Sequence, residues 1–155
     1  MMNYLEHNKE EHAEFKKIME EIEKAEDGRT KRARFIELYA SLYGHHEAEE
    51  EVIYPEIMEA IKKVEDLELS REMVEEHHLA MYQFQVVYET SASDETWDAK
   101  FSVLKEVLEH HMEEEETNFT EMAQKVLPKE RYRELLEPFE AALEKYKEEK
   151  KKELQ

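Results

Sequence analysis

Apolar residues recur along this chain at alternating steps of three and four, the period of helices with one buried face. Five segments carry such a stripe. The first runs from about Asn3 to Ala25 and stops at the turn sequence Glu26-Asp27-Gly28. The second runs from about Thr30 to Ile61, with a kink or break expected at Pro55. The third is expected to start at Ser70, a residue type that caps helix N-termini, and to end near Tyr88. Thr90-Ser91-Ala92-Ser93 reads as a loop, and the fourth segment follows Ser93 or Asp94 and reaches Val126. The fifth opens around Pro128, with a bend expected at Pro138. Short loops between long helices make neighbours antiparallel. The pattern therefore predicts an all-α fold: an up-down-up-down four-helix bundle over residues 1–127, with an extra C-terminal helix and charged tail over 128–155.

Composition narrows the function classes. The 155 residues carry 41 acidic and 22 basic side chains, a formal net charge of −19. Such a surface repels phosphate backbones and anionic lipid, so neither nucleic acid nor membrane is an expected partner. Two glycines cannot build a dinucleotide-binding fingerprint, and Gly28 and Gly44 lack the spacing of a phosphate-binding loop. With no cysteine, thiolate metal sites and thiol nucleophiles are excluded. The serines show no pattern of His and Asp partners that would mark a nucleophile. No apolar run reaches transmembrane length, so a cytoplasmic location is the expectation. The charge-dense tail, Lys145–Gln155, reads as a solvated or frayed helix end rather than a docking arm.

The histidines fall in four pairs, one on each of the first four segments: His7 and His12, His45 and His46, His77 and His78, His110 and His111. Their place on the stripes matters more than their number. The first inward line reads Leu5, Asn8, His12, Phe15, Met19, Ile22. The second reads Phe35, Leu38, Leu42, His45, Glu49, Val52. The third reads Val74, His77, Met81, Phe84, Tyr88. The fourth reads Trp97, Phe101, Leu104, Leu108, His111, Glu115, Asn118, Met122. Every helix thus turns one imidazole toward the bundle axis. Two add a glutamate four residues later on the same face.

A His-x-x-x-Glu spacing alone carries little in a chain with 37 glutamates. A glutamate on a stripe otherwise built of Leu, Phe and Val carries more, because a buried unpaired carboxylate is costly. One core histidine is usually a hydrogen-bonded structural residue; four at matching depth with two carboxylates call for a cation. Imidazole and carboxylate suit iron, with manganese and zinc as alternatives. The pattern also repeats: Glu10-Glu11-His12 precedes His45-x-x-x-Glu49, and Glu75-Glu76-His77 precedes His111-x-x-x-Glu115. Two hairpins related in this way predict a dinuclear centre, two imidazoles to each ion and both carboxylates free to bridge. His7 and His78 fall on polar lines, and His46 and His110 flank the core; all four are expected outside the ligand set. Met81 is expected to pack in the core, and Glu50 and Glu116 to face solvent.

These motifs resemble those of the hemerythrin-like family, whose HHE cation-binding domains are four-helix bundles around a non-haem di-iron site. Glu10-Glu11-His12-Ala13-Glu14-Phe15 is similar to the first-helix motif, and His45-His46-Glu47-Ala48-Glu49 to the second, including the trailing Tyr54-Pro55. Glu75-Glu76-His77 and His111 through Phe119 resemble the third and fourth. The resemblance spans roughly Asn3 to Val126. It implies two iron ions, bridged by oxide or hydroxide, with His12, His45, His77 and His111 as terminal ligands and Glu49 and Glu115 as bridges. It also implies dioxygen or a related small molecule as partner. One departure bears on this. Oxygen-carrying members have His-x-x-x-His on the third helix, whereas the positions four before and after His77 are Met73 and Met81. They also close with Asp five residues after the last histidine, where this chain has Glu after four. A tyrosine or water is expected in place of the missing imidazole, without a clear candidate. The functional expectation is oxygen or iron binding, storage or sensing. The alternatives are a di-iron enzyme acting on peroxide or nitric oxide, and an iron-dependent protein-binding module.

Overall fold

The computed structural model describes residues 2–155. Helix α1 spans Tyr4–Lys24 and α2 spans Gly28–Ala48. A π-helical turn, Glu49–Ile53, joins α2 to α3, Tyr54–Ala60. Helix α4 spans Val64–Tyr88, and α5 spans Trp97–Glu114. A second π turn, Glu115–Phe119, joins α5 to α6, Thr120–Val126, and α7 spans Lys129–Leu154. The π turns do not break their helices. The fold is therefore five rods: a four-helix bundle of α1, α2–α3, α4 and α5–α6, with α7 added. Around the bundle α1 packs on α2, α2 on α4, α4 on α5, and α5 on α1, while α7 lies along α2 and also meets α1. Among the described residues, no helix is long and apolar enough to cross a membrane.

Local chemistry sets the first two helix starts. Asn3 caps α1 by accepting from the Glu6 N–H, while Glu6 reaches back to the Asn3 N–H, a reciprocal box. The Asp27 carboxylate accepts from the Arg29 and Thr30 N–H groups at the start of α2. Ser70 is not a cap: α4 starts six residues earlier, and the buried Ser70 hydroxyl donates to the Asp66 carbonyl inside the helix. A serine that bonds back four residues satisfies itself within a helix, so its type alone did not mark the start. Pro55 neither breaks nor ends its helix, because it falls in the first turn of α3, just after the π turn. The missing proline N–H is accommodated where the bonding has already shifted from i−4 to i−5; the Tyr54 N–H bonds the Glu49 carbonyl.

The π turns also reset the buried face. Beyond Glu49 the inward residues are Ile53, Tyr54 and Ile57 rather than Val52. Beyond Glu115 they are Phe119 and Met122, and Asn118 is exposed. One extra residue per turn rotates everything after it. On α1 the seam runs through Tyr4 rather than Leu5, and on α4 through Met73, His77, Ala80, Phe84 and Val87.

Two apolar clusters fill the interior. One lies toward the α2 start and α5 start, around Phe35, Phe84 and Phe101. The other lies toward α3 and α6, around Tyr54, Phe119 and Phe139. The polar seam residues Asn8, His12, His45, Glu49, His77, His111 and Glu115 fall between them on their helices. The charged tail is no frayed end. It stays helical to Leu154, which is buried, and the Leu154 carbonyl accepts from the Tyr88 hydroxyl. The Lys150 ammonium lies over the Tyr43 ring, 4.4 Å from its centroid.

Gly44 sets how closely α7 approaches α2. A Cβ there would fall 2.7 Å from the Leu143 carbonyl oxygen and 3.0 Å from the Lys147 nitrogen, both backbone atoms. Helix propensity alone favours Gly44→Ala by about 0.5–1 kcal/mol. The contact reverses the sign: we expect a loss of about 1–3 kcal/mol, typical of overpacking, measured by urea denaturation. A stabilised variant would show that α7 does not sit against Gly44 in solution.

Candidate metal centre

Every predicted site residue arrives at one place. His12, His45, His77 and His111 are each 1% exposed, Glu49 is 0% and Glu115 1%. All four rings share an orientation, with Nε2 turned inward. His12 Nε2 lies 3.3 Å from Glu115 Oε1 and His45 Nε2 3.3 Å from Glu49 Oε2. His77 Nε2 lies 3.1 Å from Glu49 Oε1, and His111 Nε2 3.9 Å from Glu115 Oε2. Each carboxylate therefore divides its two oxygens: one faces α1 and α2 histidines, the other α4 and α5 histidines. Glu49 and Glu115 each span the gap between two groups of imidazoles.

The structure adds donors that the stripes did not reveal. His46 is buried, 2% exposed, with its ring stacked on His77 at 3.7 Å between centroids and 8° between planes. It faces His111 as well, at 5.4 Å. This corrects the expectation that His46 stays outside the site. Its ring faces His77 and His111 on α4 and α5, while the adjacent His45 meets Phe139 of α7, so two neighbouring bearings of α2 are both covered. A single apolar stripe could not show that. His7 is half-buried, and His78 and His110 are exposed at the surface. Met81 packs against the apolar core.

Two tyrosines and an asparagine complete the interior. The Tyr4 hydroxyl donates to Glu49 Oε2 and the Tyr54 hydroxyl to Glu115 Oε2. Tyr54 also lies 3.3 Å from Glu49 Oε1 and from His77 Nε2. The π turn makes this possible, since residues five apart share a face there and not in an α-helix. Asn8 Oδ1 is 2.8 Å from His45 Nε2, and its amide donates to Glu115 Oε1 at 3.0 Å. Tyr54 stands in the quoted Tyr-Pro; Tyr4 is four residues before Asn8 and continues its line. Both positions were legible in the sequence.

Outer carboxylates close the shell. Glu116 Oε2 is 2.8 Å from His12 Nδ1, Glu50 Oε2 is 2.8 Å from His77 Nδ1, and Glu76 Oε1 is 2.8 Å from His111 Nδ1. Glu11 Oε1 faces His45 Nδ1 at 3.5 Å. Glu50 and Glu116 are thus not simply solvated, contrary to the expectation from composition.

The electrostatics follow the contacts. Burial works against charge on His12, His45 and His77, but the glutamates around each ring outweigh it and raise all three; His77 reaches about 9. Burial works against the Glu49 carboxylate too, yet the His45 and His77 rings hold it well below the usual range. Burial, reinforced by the carboxylates, pushes the Tyr4 and Tyr54 hydroxyls well up, so both keep their protons. His46 is different: burial and then the neighbouring His77 and His111 push it well down, leaving it neutral.

These donors fit a cation. His77 Nε2 and His111 Nε2 sit 3.0 Å apart, a contact that two lone pairs reject unless a proton or cation lies between. The buried Nδ1 of His46 has no hydrogen-bond partner. Three overlapping groups have ligand atoms close enough for one ion: His46, His77 and His111; Glu49, His77, His111 and Glu115; His12, His45 and Glu115. Nitrogen and carboxylate oxygen are the donor types of iron, manganese and zinc sites. A sequence model of the family described as "Hemerythrin HHE cation binding domain" matches residues 4–123. Comparison with curated proteins and with solved structures found no match.

His46 allows a sharp test. In His46→Leu the metal-free protein should melt no lower than the parent, since an apolar side chain replaces a buried, unpartnered polar one. The rise in melting temperature on adding zinc should shrink. An unchanged rise would remove His46 from the site.

Proposed function

Because the chain belongs to the hemerythrin HHE cation-binding family, we propose that it is a non-haem di-iron protein that binds dioxygen or a related small oxygen species. The observation that carries the reading is the division of the Glu49 and Glu115 oxygens between two groups of imidazoles. His12 and His45 would hold one ion and His46, His77 and His111 the other, with both carboxylates shared. Bound there, a pair of iron ions supplies the redox chemistry that reversible dioxygen binding requires. The His46 ring supports a full complement of imidazoles despite Met73 and Met81 on the third helix.

The surroundings favour a small ligand. His45 is held between Phe15 and Phe139, each ring centroid 5.4 Å away. Tyr4, Tyr54, Asn8 and all the candidate ligands are 2% exposed or less. Such enclosure favours a species of two or three atoms over a larger substrate. The half with two imidazoles has one fewer side-chain donor, and Asn8 places a polar amide beside it. That makes it the half with room for an added ligand. The apolar walls exclude bulk water and so favour reversibility over leakage.

A second reading, an enzyme acting on peroxide or nitric oxide, draws support from Tyr54. Its hydroxyl keeps a proton at the centre of the cluster, within reach of both carboxylates and His77. Titrating the anaerobic ferrous protein with dioxygen, followed optically, separates the two. The expected result is a visible absorption that appears with oxygen and disappears when oxygen is removed. Continuous consumption of peroxide or nitric oxide without a reversible spectrum would replace binding with turnover. No oxygen-dependent absorption, together with no consumption of peroxide or nitric oxide by the iron-loaded protein, would overturn both.

A further inference from the structure

Three of the four outer carboxylates sit at the same distance, 2.8 Å, from the outward nitrogen of a candidate ligand. Their origins are ordered. Glu11 of α1 faces His45 of α2; Glu50, in the π turn after α2, faces His77 of α4; Glu76 of α4 faces His111 of α5; and Glu116, in the π turn after α5, faces His12 of α1. Each helix therefore gives a carboxylate to the next helix's histidine, and the sequence of gifts returns to its start. The internal repeat extends to these residues: Glu11 and Glu76 each precede a candidate ligand, and Glu50 and Glu116 each follow one.

We propose that Glu11, Glu50, Glu76 and Glu116 form a closed ring of positioning residues that holds all four imidazoles with Nε2 aimed inward. The proposal rests on the metal-centre reading but not on iron or oxygen. An imidazole that binds a cation through Nε2 carries its proton on Nδ1, and that proton needs an acceptor. A carboxylate accepts it, fixes the tautomer and prevents the ring from turning over. The four glutamate side chains are 20–25% exposed, enclosed enough for the contact to escape full solvent screening. The Glu11 pair is the open member at 3.5 Å. His45 Nδ1 is buried without a hydrogen bond, and Glu11 Oε1 is also 2.8 Å from His7 Nε2. His45 Nε2 is meanwhile taken by Asn8 at 2.8 Å. Turning that nitrogen to a cation frees His45 to close on Glu11. The ring also joins each helix of the bundle to two neighbours, so no imidazole is set by its own helix alone.

Zinc is the probe, because it is diamagnetic and without redox chemistry. Long-range nitrogen–proton NMR of the zinc-loaded protein should show Nδ1–H and a zinc-bound Nε2 at His12, His45, His77 and His111. Zinc bound through Nδ1 at any of the four overturns the ring. Glu50→Leu, Glu76→Leu and Glu116→Leu should each weaken zinc binding about 10–100-fold in competition with a chromophoric chelator. The corresponding glutamine variants, which keep an acceptor oxygen, should recover most of it. Parent-like affinity in the leucine variants, or no recovery with glutamine, would overturn the positioning role. If a leucine variant fails to fold, the NMR result on the parent chain still decides. A parent chain that takes up no zinc would overturn the metal centre itself, and the ring with it.

Discussion

Two carboxylates enclosed among apolar helices cannot remain there as charges unless something opposite in sign meets them. Glu49 and Glu115 are that constraint, and much of the molecule is arranged around them. Four imidazoles point at their oxygens, two tyrosine hydroxyls donate to them, and the Asn8 amide links Glu115 to His45. Apolar clusters lie to either side along the bundle. Without a cation, protons must serve: His77 is raised to about 9 by the glutamates on either side of it, against the effect of burial. Cations and protons therefore compete for the same inward nitrogens. The cluster is tolerable when empty and better satisfied when loaded.

Both π turns begin at these glutamates. That coincidence has a geometric use. The extra residue swings the following face inward, bringing Tyr54 over Glu49 and setting Phe119 against Tyr54 at 5.2 Å between ring centroids. It also leaves Glu50 and Glu116 on bearings from which they reach histidines of the neighbouring helices. The shift is a local departure from the α-helix that serves the centre rather than the bundle.

Much of this was legible in the sequence, and the exceptions have physical causes. The helical stripes fixed five rods and the inward positions of His12, His45, Glu49, His77, His111 and Glu115, because burial along a regular helix is periodic. Val52 and Asn118 were misplaced because a π turn leaves no trace in periodicity until it is crossed. Ser70 was misread because a serine can satisfy itself inside a helix as well as cap one. His46 was missed because a stripe reports one bearing of α2, and the next bearing is also covered, by His77 and His111. Glu50 and Glu116 were hidden among 37 glutamates, most of which do face water. For His46, Glu50 and Glu116 the missing information was tertiary: which surface another helix covers, or which neighbour stands opposite.

The central claim is that this cluster holds two cations bridged by Glu49 and Glu115. X-ray absorption on the iron-loaded protein, combined with elemental analysis, tests it most directly. The account predicts about two iron ions per chain, with nitrogen and oxygen donors and a metal–metal scattering shell at about 3.5–4 Å or shorter. A single ion per chain, or two ions with no metal–metal shell, would contradict it.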